Sequence, residues 1–355
     1  MQILSAIDAI TPAFSRTRLV LFSPFRTGRT WKLAATAYLA SASTIFLPVF
    51  LVVFLFLPQL REAGGSIATI LASVAAIVAT LVAFLFLYLF TRLRFAYFDI
   101  VLHRGEFVAP AWRKYGPQSF QWTLFKALLG TLLTAAVALP IAGFVRHFIT
   151  LTASLKPGEQ PPPELVFGMM SGYFGAYFVI GIFLWLSSLL SDFVIPSLAL
   201  ENTTLGEAFR RLGQLIRNEP GQFTAYAFLK MGLSFAGMIA AGLGLEIVFI
   251  LVGLVVFLIA AGVGALLHLA GTPSAALMGA AVIVFGLFYI VFIYGMFLVN
   301  GVVMTFLEAY TLYFLGGRYP LLGDLLTAST PPPPPPPAAP IYPAYAAPPP
   351  PPELR

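Results

Sequence analysis

Six charged residues recur in order along this sequence, each beside an apolar run. Lys32 follows Trp31, Lys126 follows Phe125 and Lys230 follows Leu229, near the starts of three runs; Asp99, Asp192 and Glu308 stand at the ends of the returning ones. Charged side chains within or at the edge of hydrocarbon are costly to place and often functional. Two arrangements satisfy the pattern. The lysines can snorkel to the interface while the acids anchor the ends. Alternatively, the six form a ring of Lys–carboxylate pairs at one mouth of a helix bundle, able to bind an anionic head group or gate a cavity.

Other residues offer less chemistry. His103, His147 and His268 are far apart and lack i+4 partners, whereas a zinc site needs clustered ligands. The absence of cysteine excludes disulfides, thiol nucleophiles and Cys-type metal sites. No GxSxG elbow, P-loop or dinucleotide-binding glycine motif occurs. Ser187, Ser188 and Ser191 share one apolar run, where hydroxyls usually bond the preceding turn or a neighbouring helix. Gly168 with Gly172, and Ala236, Ala240 and Gly244, are small-residue faces suited to close helix contact. Arg146 and His147 read as head-group contacts. The expectation is no catalytic residue, no cofactor, no metal and no enzyme activity.

The elements that position the six charges are apolar. The 355 residues are 59% hydrophobic and 10% charged, with a mean hydropathy of +0.91; soluble chains carry roughly 25% charged residues. A span needs about 20 apolar residues, and suitable runs cover 33–57, 66–91, 119–149, 165–191, 222–268 and 275–307. Helices alone satisfy every backbone group within one segment, so the fold class is all-α, a polytopic transmembrane bundle. Pro48 and Pro140 read as kinks. The run 222–268 is too long for one crossing. A turn at Gly242, Gly244 and Glu246 would give seven spans in all; one span plus a re-entrant or interfacial piece would give six, with Glu246 and His268 marking the ends.

With six spans and the N-terminus inside, all but three of the 20 Lys and Arg residues fall on the inner side; the exceptions are Arg61, Arg146 and Lys156. That bias fits the positive-inside rule and sets the N-terminus in the cytoplasm. It does not set the side of the C-terminal tail. The expected location is a bacterial cytoplasmic membrane, with anionic inner-leaflet lipids as partners and no nucleic acid.

Between spans, Thr204 to Arg217 places Leu205, Phe209 and Leu212 on one face and Arg210, Arg211 and Arg217 on the other. Thr204-x-x-Glu207 is a capping box and Asn218-Glu-Pro220-Gly221 a stop. This basic amphipathic helix either lies in the lipid interface or docks on the end of the bundle. The segment 107–116, with Trp112, Arg113, Lys114 and Tyr115, is a shorter version. From Pro331 the chain turns to polyproline, interrupted by Tyr342 and Tyr345. Such a tail is expected to be disordered, extended polyproline II, either a ligand for an aromatic-lined groove on a partner protein or a passive linker.

The charges also define a repeat. The Lys32–Asp99 and Lys126–Asp192 separations agree within one residue, and Lys230–Glu308 is longer by about three helical turns. Ala111-Trp-Arg-Lys114 precedes the second unit and Ala208-Phe-Arg-Arg211 the third. Three units, each a short basic helix followed by a hairpin, predict six crossings with both termini inside. The domains then read as a cytoplasmic segment 1–32, a transmembrane domain 33–320 and a disordered tail 321–355.

Three stretches carry a resemblance: AFSRTRLVLFSPFRTGRTWKL from Ala13, DFVIPSLALENTTLGEAFRRLGQLIRNEPGQF from Asp192, and EAYTLYFLGG from Glu308. Over about residues 1–320 the chain resembles uncharacterised bacterial six-helix membrane proteins. That family is similar to the membrane domain attached to glycerophosphoryl diester phosphodiesterases. The resemblance implies a six-helix domain without catalytic residues. The phosphodiesterase barrel has no counterpart here, so hydrolysis is not expected. The functional expectation is a membrane scaffold or lipid-interacting factor, with a small-solute or lipid transporter as the alternative.

Overall fold

The computed structural model describes residues 2–44, 57–154, 162–271 and 273–329. Among them there is no strand. Ten α-helices follow in order: α1 (Ile10–Phe22), α2 (Thr27–Ser41), α3 (Leu57–His103), α4 (Val108–Lys114), α5 (Gly116–Ser154), α6 (Pro163–Glu201), α7 (Leu205–Asn218), α8 (Pro220–Leu269), α9 (Ser274–Gly316) and α10 (Pro320–Ala328). Pro48, Lys156, Tyr342, Tyr345 and the polyproline runs lie outside the described residues, as does much of the first apolar run.

Five helices, α3, α5, α6, α8 and α9, are long and apolar enough to cross a membrane. α3 bends at Gly65, whose φ of 69° suits a residue without Cβ. α5 passes through Pro140, and α6 through Pro196, without a break.

The run 222–268 needs a correction. It is neither two spans nor a span with a re-entrant piece, but one continuous helix of 50 residues, about 75 Å long. Gly242 and Gly244 keep helical backbone, and Glu246 stands exposed in mid-helix rather than at an end. Apolar residues flank both glycines. A turn there would strand backbone groups in an apolar setting, whereas the helix satisfies all of them. The reversal comes later, between α8 and α9, and Gly271 there has φ 85°. The extra length of the third unit is therefore spent on a taller hairpin.

Burial divides the molecule into two zones. At one end, the packed end, α1, α2, α4, α7 and α10 gather around the converging ends of the five long helices. The core there includes Val20, Leu21, Leu33, Phe95, Phe98, Trp122, Leu198, Tyr226 and Phe314. Away from it the long helices present apolar side chains outward, Leu81, Phe178, Leu251 and Ile283 among them. Short helix, long helix, long helix is the order in the second and third units, as the repeat predicts.

Residues 2–32 pack against the bundle. Ala9, Ala13, Arg16, Val20 and Leu21 are buried, and Tyr310 donates to the Ala6 carbonyl at 3.0 Å. A Cβ on Gly317 would overlap the backbone of Gln2 and Ile3. The boundary at 320 likewise falls at the start of α10, whose Leu322 and Leu326 are buried.

Candidate functional site

At the packed end, four charged side chains from four helices meet. Arg94 of α3 reaches Asp192 Oδ1 of α6 at 3.0 Å and Glu308 Oε2 of α9 at 2.9 Å. Lys230 of α8 pairs with Asp192 Oδ2. The Tyr226 hydroxyl lies 3.1 Å from the same Asp192 oxygen and 2.7 Å from Thr311 Oγ1, while its ring stacks on Tyr310 and Phe314. Two acids face two bases, so the cluster is neutral as a set. An isolated charge is expensive to bury, and only such mutual pairing makes these four tolerable here.

Helix register explains why they converge. Lys126 and Lys230 occupy the same position relative to the first residues of α5 and α8, Gly116 and Pro220. Asp192 and Glu308 stand about two turns before the ends of α6 and α9. The repeat thus places all four at one level, and rotation of each helix decides which of them meet.

The six residues of the repeat do not form one ring. Asp192, Lys230 and Glu308 join the cluster. Lys126 is buried, but its ammonium donates to Ser43 O at 2.8 Å and lies over the Trp122 ring. Asp99 faces elsewhere, bonded by Lys114 Nζ at 3.0 Å and by the Tyr115 hydroxyl at 2.5 Å. Burial and the Asp99 carboxylate together push the Tyr115 phenol above its ordinary range. Lys32 is exposed on α2. Pairing also runs between units, because Lys230 meets the acid of the preceding hairpin.

Arg94 holds the centre of the cluster, although it lies beyond the apolar run 66–91. The signal was present: Phe95-Ala-Tyr-Phe98 and Ile100-Val-Leu102 continue the apolar pattern beyond it. Two further arginines prove to be internal clamps. Arg16 is fully buried and donates to the Val101 and Leu102 carbonyls at 3.0 and 2.5 Å, and to Ser329 O and Oγ at 3.2 and 2.7 Å. It thereby satisfies carbonyls near the ends of α3 and α10, where the helix dipole favours a cation. Burial lowers its guanidinium pKa from the ordinary value. Arg318 donates to Glu219 Oε2 at 2.7 Å and to Leu4 O at 2.8 Å, tying the α7–α8 corner to the N-terminal segment.

α7 begins and ends where the capping box and the stop place it, with Thr204 Oγ1 accepting the Glu207 N–H. Ala208 and Leu212 are buried, and Phe209 rests on Trp122 and Phe125, so this helix docks on the bundle. Arg211 pairs with Glu201. Arg210 and Arg217 point outward. Ser191 donates to Ser187 O in the preceding turn. Among the described residues no three His, Asp or Glu side chains gather as a metal site would require.

The seams between hairpins differ. α3 runs along α5, and α9 along α2. α6 and α8 have no comparable backbone contact among the described residues. They meet through side chains at the packed end: Phe193 on Tyr226, Trp185 against Phe228, and Asp192 on Lys230. Beyond those contacts lies an apolar cleft of about 620 Å³.

The chain belongs to a family of unknown function (DUF7544), which matches residues 4–325. No curated protein and no solved structure matches it.

Proposed function

We propose that this member of a family of unknown function is a non-enzymatic integral membrane protein. It acts as a scaffold or lipid-interacting factor whose packed end faces the anionic inner leaflet of a bacterial cytoplasmic membrane. The observation that carries the reading is how its charges are sorted. Arg16, Arg94, Lys126 and Lys230 are turned inward, while Lys32, Arg113, Lys114, Arg210 and Arg217 stay exposed on elements of the packed end. An exposed basic residue near an anionic leaflet contributes about 1 kcal/mol.

The same layout supports a reading of six crossings. The five long helices have alternating directions, and α1 belongs with the packed end. The run beginning at Leu33 then supplies the sixth crossing, with both termini in the cytoplasm. The proline-rich tail would there be available to an aromatic-lined groove on a protein partner.

The test is lipid content. Arg210→Gln and Arg217→Gln together should lower the share of anionic lipid that co-purifies with the full chain, without lowering its melting temperature. An unchanged share would refute the basic-face reading. A small-solute or lipid transporter is the second reading. It is favoured by the open seam between the second and third units, and it predicts protein-dependent flux across reconstituted vesicles.

A further inference from the structure

The cleft between α6 and α8 has one charged end. Phe178, Ile182 and Trp185 of α6 face Phe235 and Met238 of α8 across it, and Lys230 closes it at the packed end. Both walls are helices apolar enough to span a membrane, so the solvent beside the cleft is hydrocarbon. Across the seam the two walls are joined at their base, by the Asp192–Lys230 pair and the neighbouring rings.

The hydrogen-bond donors at its closed end identify the occupant. An ammonium has three donors, and one of Lys230's is spent on Asp192. Trp185, on the opposite wall, carries an indole N–H with no acceptor in the protein, a costly state for a donor in an apolar setting. The combination is an apolar trough with hydrogen-bond donors at one end. The geometry points to a single phospholipid as its occupant, one acyl chain in the cleft and its phosphodiester at Lys230. The lipid completes the seam that α3–α5 and α9–α2 close with protein. This rests on the membrane reading above and adds a specific, resident ligand to it.

The test is native mass spectrometry of the full chain, reconstituted in vesicles of phosphatidylethanolamine and phosphatidylglycerol and then extracted into detergent. One phospholipid should remain per chain, and its mass identifies the preferred head group. Gly181 lines the cleft and has open space where a side chain would project. Gly181→Phe should fill the trough and reduce the retained lipid about tenfold or more. Gly175 faces the separate cavity between α5 and α6, also with open space, and Gly175→Phe should leave the lipid in place. Retention by both variants, loss by both at unchanged melting temperature, or a lipid-free wild-type chain would overturn the assignment. A lipid-free chain that still fractionates with membranes refutes the cleft alone. A chain recovered in the soluble fraction refutes the membrane reading as well.

Discussion

The Lys230 ammonium rests on the Asp192 carboxylate, and so ties the third hairpin to the second instead of closing its own hairpin on Glu308. Glu308 is met by Arg94, which also holds Asp192. Four helices are thus cross-braced through one neutral cluster. A buried ion network often contributes little relative to apolar packing of the same volume, but breaking one leaves an uncompensated charge.

Removing one member should therefore cost more than removing a matched pair. Asp192→Ala leaves Arg94 and Lys230 facing Glu308 alone, with an expected loss of about 3–5 kcal/mol. Lys230→Met leaves both acids on Arg94 and should also destabilise. Lys230→Met combined with Asp192→Ala keeps Arg94 and Glu308 balanced, so the pair should be milder than the sum by about 1–3 kcal/mol. Thermal unfolding of the four proteins in one detergent measures this. Additive losses would mean that Lys230 and Asp192 do not share a network.

Arg16 should tolerate no conservative replacement. Its guanidinium serves carbonyls on two helices at once, a task for a planar fork of donors that a lysine ammonium cannot reproduce. Hydrogen bonds to charged groups contribute about 1.5–3 kcal/mol, and Arg16→Lys should forfeit at least one of them. Amide hydrogen exchange should then quicken in α10 before it does in α9. Equal protection in wild type and variant would show that Arg16 does not hold α10.

The sequence made some of this architecture legible, for identifiable reasons. Thr204, Glu207 and Pro220 bound α7 because capping and proline act locally, within a turn of the residues themselves. The apolar runs located the long helices because period and length suffice for that. Arg94, Arg16 and Lys230 were harder. Whether a cation is a surface charge or a buried clamp depends on which helix arrives beside it, and periodicity carries no such information. Counting Lys and Arg on the inner side does not separate Arg16 and Arg94 from the exposed bases for that reason. Gly242 and Gly244 misled in the other direction: a glycine permits a turn without requiring one.

Gly301 marks the closest approach of α9 to α2. A Cβ there would overlap the backbone of Ala34, which is itself buried. Gly301→Ala should lower stability by about 1–3 kcal/mol through overpacking. Gly286, further along the same helix, meets nothing where a Cβ would project, and Gly286→Ala should stay within about 0.5 kcal/mol of wild type. Melting curves for the two variants discriminate close packing from a general effect of alanine on α9.

The two ends of the chain should lie on one side of the membrane. Ser329 is bonded by Arg16, Leu4 O accepts from Arg318, and Ala6 O accepts from Tyr310. The N-terminal segment and the last described residue therefore belong to one packed layer. The sequence contains no cysteine, so single cysteines report position without background. Ala338→Cys, in the tail beyond the described residues, should react with a membrane-impermeant thiol reagent only after lysis. Ala270→Cys, at the tip of the α8–α9 hairpin, should react in intact cells. Labelling of both in intact cells would place the tail opposite the basic packed end. That outcome would require an odd number of crossings and would break the contact between Arg16 and Ser329.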